Sequence, residues 1–495
     1  VAGFERALSG WVCAPADRLG SIGAFKSEAH LNPKMSNLIL ADPLSQRLYY
    51  WWTFAYAVKK VITTMDIDVH YGNDTVFLKI PQVNVQAVVC PWQGETSSRK
   101  VDLAETLEAS SALTFRKATK GRCLCVLVPD ATRRTPFEDN YRSLMDHLGG
   151  CEQVRCLICT GTHDPCSAGN IALRQRIEQT AHMSGLKDFS CEGHDCRSSA
   201  LIEGDTTLRG TPVRYHPWLQ EAEVFLVLSD VKVHYFAGYS NPVKNFVPGA
   251  CAYETIEQNH SLALHDQARF GQHPWHCDPG RRDNPLAQDQ LEAMTAIVGD
   301  RPVFAWVTIG MAGQAYWDAL GLAEEVTRAA ITVADTHNIR DILPVDKLIV
   351  SPGGHPDDID LYIAQRALEL SQAGVKEGGE VLFLAACPGG VGEVHTRANF
   401  YERLIQPLDT VLTSIDDAYV LYSHKPYKFA RMIQRLNRLW FVSEIPDDQV
   451  KAMHLTPAGS AQEIVNRWLT QDPQTRIMVV DGANKLGLRC AGEGK

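Results

Sequence analysis

The stretch "CLCVLVPDATRR", residues 123–134, decides how the fold of this chain is interpreted. Seven mostly apolar residues, without alternation, are followed at once by Asp130, Thr132, Arg133 and Arg134. A continuous apolar run of this length is typical of a strand that is buried on both faces, as in a parallel sheet covered by helices. The run therefore predicts an α/β fold, and the polar residues after it mark the end of a strand.

Six further apolar runs have the same character and end in polar or glycine-rich segments: residues 154–163, 224–230, 303–310, 347–354, 380–390 and 476–482. Between some of them lie segments with apolar spacing near 3.6 residues, most clearly 357–374 and 460–471, which predict crossover helices. Strands alternating with helices indicate mainly parallel sheets flanked by helices. We expect two domains of this α/β type, with the active site in the cleft between them.

The length of 495 residues also favours two large domains. We expect an N-terminal extension of unknown role over 1–70, an N-terminal domain over 71–320, hinge helices over 321–345 and a C-terminal domain over 346–495. The aromatic run "LYYWWTFAYAV" at 48–58 is too short to cross a membrane. It predicts a buried helix or a subunit contact.

Composition narrows the function classes. Hydrophobic residues make up 45% and charged residues 21%, and the formal net charge of −10 provides no positive field for nucleic acid or an anionic membrane. The 14 cysteines lack disulfide-framework spacing, and the first residues do not resemble a signal peptide. We therefore expect a cytoplasmic protein that acts on small molecules.

Three short motifs could bind a metal. Cys156 and Cys159 form a CxxC, "CEGHDC" spans 191–196 and "HPWHC" spans 273–277. The CxxC lies inside an apolar run, and the other two have no second ligand pair at zinc-site spacing. Buried packing is the favoured interpretation of the CxxC, and metal binding is disfavoured for the other two motifs.

The ends of three predicted strands carry the polar residues that could perform chemistry. Asp130 to Arg134 follow the first, His163 follows the second, and Asp230 and His234 follow the third. In open parallel sheets ligands bind beyond the carboxyl ends of the strands, so one cleft would collect these side chains. Each has an ordinary alternative: Asp130 and Thr132 could cap a helix, the two arginines could face solvent, and either histidine could be a hydrogen-bonded loop residue.

The motifs around these residues resemble a known family. They are "DATR" at 130–133, "GTH" at 161–163, "HYFAGYS" at 234–240, then Lys244, "PG" at 248–249, "YETI" at 253–256 and "NHS" at 259–261. Together they resemble the lactate racemases that use a nickel-pincer nucleotide, and their 2-hydroxy-acid racemase and epimerase relatives. The segments "GGHPDDIDLYIAQRAL" at 353–368 and "SHKPYKFAR" at 423–431 extend the resemblance, which runs from about Thr75 to the C-terminus.

The resemblance implies a role for each matching residue. Lys244 would carry the cofactor covalently in an N-terminal cofactor-binding domain, and His260 would be the protein ligand of a square-planar nickel. His163 and His234 would be the acid/base pair for proton-coupled hydride transfer at C2, one on each side of the metal. Asp130, Thr132 and Arg133 would help hold the nucleotide phosphate or the substrate carboxylate. The enzymes that make the cofactor would be partners.

The resemblance also implies a substrate-binding set. Tyr362 and Arg366 would bind the carboxylate of the 2-hydroxy acid, and His355 and His424 stand at two further pocket positions. Without the resemblance, Tyr362 and Arg366 would be interpreted as an ordinary solvent-facing pair on a helix.

The chain departs from the family pattern in the turn before the lysine and in this pocket. The family has Ser-Gly-Gly-Arg-Lys where this chain has "SNPVK" at 240–244, and His355, Arg366 and His424 replace Tyr, Lys and Trp. We therefore expect a preferred substrate other than lactate. Two alternatives stay open: a zinc-dependent hydrolase that uses the same histidines, and a cofactor-free protein that binds 2-hydroxy acids.

Overall fold

The computed structural model describes residues 63–92, 106, 110–133, 137, 140–311 and 314–491. The aromatic run at 48–58 and Arg134 lie outside these residues. None of the described helices is long and apolar enough to cross a membrane.

The strands are β1 Thr64–Tyr71, β2 Asp74–Pro81, β3 Val85–Val89, β4 Cys123–Pro129, β5 Gln153–Cys159, β6 Phe189–Gly193, β7 Ile202–Thr206, β8 Pro212–Tyr215, β9 Val224–Asp230, β10 Lys232–His234, β11 Gly238–Ser240, β12 Val303–Met311, β13 Gln314–Leu322, β14 Ile339–Ile342, β15 Val345–Ser351, β16 Val375–Leu384, β17 Arg438–Val442, β18 Thr456–Pro457, β19 Ile477–Asp481 and β20 Gly487–Cys490.

The helices are α1 Ser110–Thr119, α2 Tyr141–Asp146, α3 Ala168–Met183, α4 Pro217–Glu221, α5 Val243–Phe246, α6 Tyr253–Ser261, α7 Pro285–Val298, α8 Ala323–Asn338, α9 Leu361–Ala364, α10 Arg366–Ser371, α11 Val394–Arg397, α12 Tyr401–Leu404, α13 Leu408–Asp417, α14 His424–Arg435, α15 Asp447–Ala452 and α16 Ala461–Gln471. Short 3₁₀ turns lie at Gln82–Asn84, Leu262–Leu264, Pro279–Arg281, Gln372–Gly374 and Ala483–Lys485.

The first sheet has six strands in the order β13-β12-β9-β4-β5-β6. All neighbouring pairs are parallel except β12 and β13. Successive residues of β4 enter different cores: Leu124 and Val126 pack in one apolar cluster, and Cys125 and Leu127 in another. Because both faces are buried, the strand is apolar throughout, which confirms the α/β interpretation of the opening stretch.

The second sheet also has six strands, in the order β18-β17-β16-β15-β19-β3, and every pair is parallel. All seven apolar runs of the sequence form strands of one sheet or the other. The molecule therefore has the predicted mainly parallel sheets with helices around them.

The N-terminal strands lie with the second sheet. Strand β3 pairs with β19 across almost 400 residues, and the β1–β2 hairpin contributes Val69 and Leu78 to the apolar cluster of Trp468. The predicted N-terminal domain begins at residue 71, and a local sequence pattern does not reveal that strands within 71–89 pair or pack with so distant a partner.

Two predicted helical segments differ in detail from the sequence interpretation. The segment 321–345 contains α8 and then β14, which pairs with β20, so it is one long helix and a strand rather than helices alone. The segment 357–374 is divided into α9 and α10 at Gln365. The segment 460–471 forms α16, as predicted.

Candidate active site

Three central strands of the first sheet place the predicted polar residues at one edge. Strands β9, β4 and β5 are neighbours and parallel, so their carboxyl ends lie side by side. Asp130, His163 and His234 follow these ends, and Lys244 and His260 follow on α5 and α6. We call these five residues the strand-end cluster.

Asp130 and His163 form a hydrogen-bonded pair. The Asp130 carboxylate is 3% exposed, and its Oδ2 lies 2.7 Å from Nδ1 of His163. Thr132 donates a second bond from its hydroxyl at 2.9 Å. Burial works to raise the pKa of Asp130, but the hydrogen bond and charge of His163, with Arg133 and Thr132, bring it below its ordinary value. The ionised carboxylate can only accept, so Nδ1 of His163 carries the ring proton and Nε2 is left as a proton acceptor.

The predicted cofactor residues contact one another at this strand end. Asp130 bonds to His163, and Thr132 bonds to Asp130. Arg133 remains suited to an anion: its side chain is 52% exposed, and its Nε lies 3.7 Å from Asp130.

His234 lies on a tight hairpin formed by β10 and β11. Gly238 closes the turn with a φ of +76°, and a Cβ there would lie 1.7 Å from the Gln272 carbonyl oxygen, so only glycine fits. The Ala237 amide donates to Nδ1 of His234 at 3.2 Å. Burial first, and then the charges of Lys244 and other nearby cations, hold the pKa of His234 well below its ordinary value. The neutral ring therefore carries its proton on Nε2, the opposite arrangement to His163.

The "SNPV" segment forms a capped turn in place of a glycine-rich one. The Asn241 side chain accepts from the Val243 amide at 2.9 Å and donates to the Tyr239 carbonyl at 3.0 Å. Pro242 immediately precedes α5, where its fixed φ suits the start of a helical turn. The segment therefore holds Lys244 on a short helix rather than on a flexible loop.

Lys244 is largely buried near several positive charges. Burial, followed by the charges of Arg133 and Lys232, lowers the pKa of Lys244 to about 7, although Asp230 works against this shift. A lysine with this pKa is partly neutral at physiological pH, which is the reactive form of the amine.

His260 has no side-chain hydrogen-bond partner among the described residues. Its Nδ1 is buried and makes no bond of standard geometry, and its ring centroid lies 5.5 Å from that of Phe236. Burial and then the Lys244 charge lower the pKa of His260 to about 3, although the Ile256 backbone works to raise it. A neutral imidazole is the form that binds a transition metal. His260 therefore fits the role of a single metal ligand.

The described residues contain no group of three His, Cys, Asp or Glu side chains that could hold a metal ion. His163, His234 and His260 therefore do not form the three-ligand protein site that a zinc hydrolase needs. A metal at His260 would take its other ligands from a bound group, which is what a pincer nucleotide supplies.

The second half of the chain covers the strand-end cluster with five residues: Tyr362, Arg366, Tyr419, His424 and Lys425. We call them the second-half shell. Nε2 of His424 lies 3.4 Å from the Tyr235 hydroxyl, and its Nδ1 lies 2.7 Å from the Tyr419 hydroxyl. The ring centroids of His424 and His260 are 6.0 Å apart. The two halves therefore meet at the predicted site.

Two cations of this shell make few polar contacts. Lys425 donates to the Tyr362 carbonyl at 2.5 Å and lies 3.7 Å above the centre of the Tyr362 ring. Arg366 donates from Nε to the Ile363 carbonyl at 3.1 Å. His355 is not brought into the shell: its side chain is exposed, and its amide bonds to the Gly72 carbonyl.

Sequence reasoning missed three site residues. Tyr235 lies within a quoted motif, and Lys425 lies within the quoted segment 423–431, but a lysine in a helix is usually solvated. Tyr419 has no motif at all. The contact between Tyr422 and Thr162, at 2.9 Å between hydroxyl oxygens, also joins the two halves and has no local signal.

The three short cysteine and histidine motifs take ordinary structural positions. Cys156 and Cys159 are buried in the first sheet, as favoured from the sequence. His194 bonds through Nε2 to the Cys251 carbonyl at 2.8 Å. His276 bonds to Asp335 at 3.0 Å, which also pairs with Arg281.

Known proteins resemble this chain over most of its length. Residues 71–271 match the model of the lactate racemase N-terminal domain, and residues 341–484 match that of the C-terminal domain. The lactate racemase of Thermoanaerobacterium thermosaccharolyticum is 21% identical over 451 residues, covering 85% of this chain and 99% of that protein. The lactate racemase of Lactiplantibacillus plantarum is 22% identical over 431 residues, covering 84% and 97%.

Solved structures share the fold. The lactate racemase apoprotein from T. thermosaccharolyticum has a TM-score of 0.73 at 19% identity, with 86% of this chain and all of that chain covered. A protein from Thermotoga maritima has a TM-score of 0.56 at 13% identity, with 78% and 98% covered. With both domain models matched over more than half of its length, the chain belongs to the lactate racemase family, a family of isomerases.

Proposed function

We propose that this protein is a racemase or epimerase of a 2-hydroxy acid other than lactate, and that it works with a nickel-pincer nucleotide. One observation carries the proposal: a partly neutral lysine and a neutral histidine with a buried Nδ1 lie beside two further histidines at one edge of the sheet. Lys244 would hold the cofactor covalently, and His260 would bind its nickel. When bound, such a cofactor accepts a hydride from C2 of the substrate and returns it.

The protein's own residues would move the hydroxyl proton. His163 can take it on Nε2, and the Asp130 carboxylate stabilises the imidazolium that forms. His234 serves the other face, but it starts with its proton on Nε2. Before it can accept a substrate proton, its own proton has to pass to Nδ1 and the bond from Ala237 has to open. Abstraction by His163 needs no such rearrangement.

The cations at the site would hold the substrate. Arg133 is exposed at the end of β4, and the charges of Arg366 and Arg133 both act on the pKa of His234. A guanidinium can bind a carboxylate through two parallel hydrogen bonds. Buried rings from both halves exclude water, so the keto acid formed by hydride loss would stay in place until the hydride returns.

The second-half shell supports a substrate other than lactate. Beyond the carboxylate, lactate presents only a methyl group to its pocket, which apolar side chains would fit. Here the shell contains Arg366, His424 and Lys425 instead, all of them polar. The composition and the scattered cysteines support a cytoplasmic location, with the cofactor-making enzymes as partners.

The test is to produce the full chain together with the enzymes that make the cofactor. We expect an added mass on Lys244, nickel in the purified protein, and exchange of C2 stereochemistry in at least one member of a 2-hydroxy-acid panel, followed by chiral chromatography. The variant Lys244→Ala should lose the adduct and the activity. The matched control is Lys376→Ala, which removes an exposed lysine that pairs with Asp346 at 3.1 Å.

Other outcomes would contradict the proposal. Nickel-loaded protein that exchanges no 2-hydroxy acid would exclude racemase activity. Bound zinc without an adduct would favour the hydrolase alternative. Full ligand binding in the double variant Lys244→Ala, His260→Ala, without turnover in the parent, would favour a binding protein.

A further inference from the structure

Lys425 is a buried cation without a counterion. It is 5% exposed, and its ammonium group has three donors, of which one is used by the Tyr362 carbonyl. Asp360 and Glu369 are the nearest acidic groups that act on its pKa, yet neither lies within ion-pair distance of it among the described residues. The ammonium also lies 3.7 Å above the centre of the Tyr362 ring, but no carboxylate among the described residues neutralises its charge.

Arg366 is a second cation without a counterion among the described residues. Its Nε bonds to a backbone carbonyl, and in the described part of the chain no carboxylate pairs with the guanidinium. Asp360, the acid closest in sequence, instead accepts from the Ile363 amide at 2.7 Å, where it caps α9. Burial raises the pKa of Asp360 and of Glu369, which weakens both as counterions.

Both cations act on the region around Tyr235. The Lys425 ammonium is 5.6 Å from the centre of that ring, and the Arg366 charge acts on the Tyr235 hydroxyl. Lys425 directly follows His424, whose ring contacts Tyr235 and His260, and its ammonium bonds to the Tyr362 carbonyl of the second half. Arg366 acts on the acid/base residue His234, which motivates assigning Arg366 to the reacting end and Lys425 to the distal end.

We propose that Arg366 and Lys425 bind the two carboxylates of a 2-hydroxy dicarboxylic acid, with Arg366 on the carboxylate next to the reacting carbon and Lys425 on the distal one. This inference rests on the proposed function, and it names the substrate class.

The energetics favour a second charge over an uncharged tail. Leaving a cation buried without a partner is costly, and the methyl group of a monocarboxylic acid would not relieve this cost. Hydroxyl groups of a sugar acid would supply dipoles but no net charge. Burial, and then the charge of Arg366, hold the pKa of Lys425 well below its ordinary value, and an incoming carboxylate would restore the ammonium form.

Another cavity of the molecule does not suit such a substrate. A groove of about 650 Å³ lies beside α6 and is lined by Glu254, Glu257 and Asp416. Its acidic side chains would repel a dianion. Within the described part of the chain, the two cations without a counterion, Arg366 and Lys425, belong to the second-half shell.

The first experiment compares substrates on the nickel-loaded full chain. We measure kcat/KM for malate, for lactate, for glycerate as an uncharged-tail analogue and for 3-phosphoglycerate as a phosphate analogue. Malate should exceed lactate and glycerate by about 100-fold, the size expected for one buried charge pair. Equal rates with glycerate, or a preference for 3-phosphoglycerate, would overturn the dicarboxylate assignment. Exchange of lactate but not malate would also overturn it and leave the proposed function intact, whereas exchange of no 2-hydroxy acid would refute the proposed function.

The second experiment uses the variant Lys425→Met, which keeps the length of the side chain and removes its charge. It should lower kcat/KM for malate by about 100-fold and for lactate by less than about 5-fold. The control is Lys428→Met, one turn further along α14, whose ammonium bonds to the Ala268 carbonyl at 3.3 Å. Equal losses on both substrates would assign Lys425 a structural role.

A binding measurement tests the inference without requiring catalysis. Calorimetry on the full chain without cofactor should give a Kd for malate about 10-fold or more below that for lactate, and Lys425→Met should abolish the difference. The variant Lys425→Arg, which keeps the charge, should retain part of it. Identical Kd values in the parent protein would overturn the inference.

Discussion

The strand-end cluster and the second-half shell differ in how their polar groups are satisfied. In the cluster, His163 is bonded to Asp130, the "SNPV" turn is tied by Asn241, and Gly238 closes against the Gln272 backbone. In the shell, the hydrogen bonds of Arg366 and Lys425 within the described part of the chain go to backbone carbonyls. The polar groups of the cluster are therefore mostly paired within the protein, whereas the two cations of the shell lack a counterion there. Under the proposed function, the first half would carry proton transfer and the second half would recognise the rest of the substrate.

The largest expected effect is on the cluster. The variant His163→Ala should lower kcat by about 1000-fold with little change in KM, because it removes the proton acceptor but no substrate-binding cation. Steady-state kinetics on the preferred 2-hydroxy acid check this, with His147→Ala as the control, whose Nδ1 contacts only the Ser143 carbonyl. A rise in KM without a fall in kcat would move His163 from proton transfer to binding.

A smaller effect should follow from the partner of that histidine. Asp130→Asn keeps the shape but lets Nδ1 of His163 become an acceptor, so we expect kcat to fall by about 10- to 100-fold. Cofactor loading, measured by intact mass, should not change, because Asp130 contacts His163 rather than the nucleotide. The control is Asp146→Asn, an exposed partner of Arg142. A loss of cofactor loading would instead support the prediction from sequence that Asp130 helps hold the cofactor.

The rigidity of the cluster can be tested without catalysis. Asn241→Ala removes two buried hydrogen bonds and should lower the free energy of unfolding by about 1–2 kcal/mol. Chemical denaturation measures the loss, and Asn466→Ala on the exposed face of α16 serves as the control. An unchanged free energy of unfolding would mean that the turn before Lys244 is held by its proline alone.

The smallest expected effect is in the shell. Tyr419→Phe removes the hydroxyl that contacts Nδ1 of His424 and should raise KM by about 5-fold with kcat nearly unchanged. Tyr427→Phe is the control, since its hydroxyl contacts Asp416 instead. If kcat fell more than KM rose, the separation between a reacting half and a binding half would fail.

Much of the strand-end cluster could be predicted from the sequence. Continuous apolar runs predict parallel strands, and the residues just after them must meet at one edge if the strands are neighbours. His163 and His234 were found in this way. The contact of Asp130 with His163 could not be predicted, because a capping residue, an anion ligand and a partner of histidine have the same local sequence.

The shell was less predictable. Tyr362, Arg366 and His424 were expected there from the family resemblance, but His355 is exposed. Lys425 was overlooked, since a lysine in an amphipathic helix usually faces solvent. Its burial depends on how α14 packs against Tyr235 and Tyr362 from other parts of the chain.

The sequence alone determined the α/β fold class, seven strands of the two sheets and the family motifs, because apolar runs and tight turns are local properties. Tertiary structure alone decided that β3 joins the second sheet, that Asp130 supports His163, and that Lys425 lies unpaired beside Arg366. Each of these depends on a partner far away in the chain. Hydrogen bonding, burial and charge compensation are set by such partners, and a local pattern does not contain them.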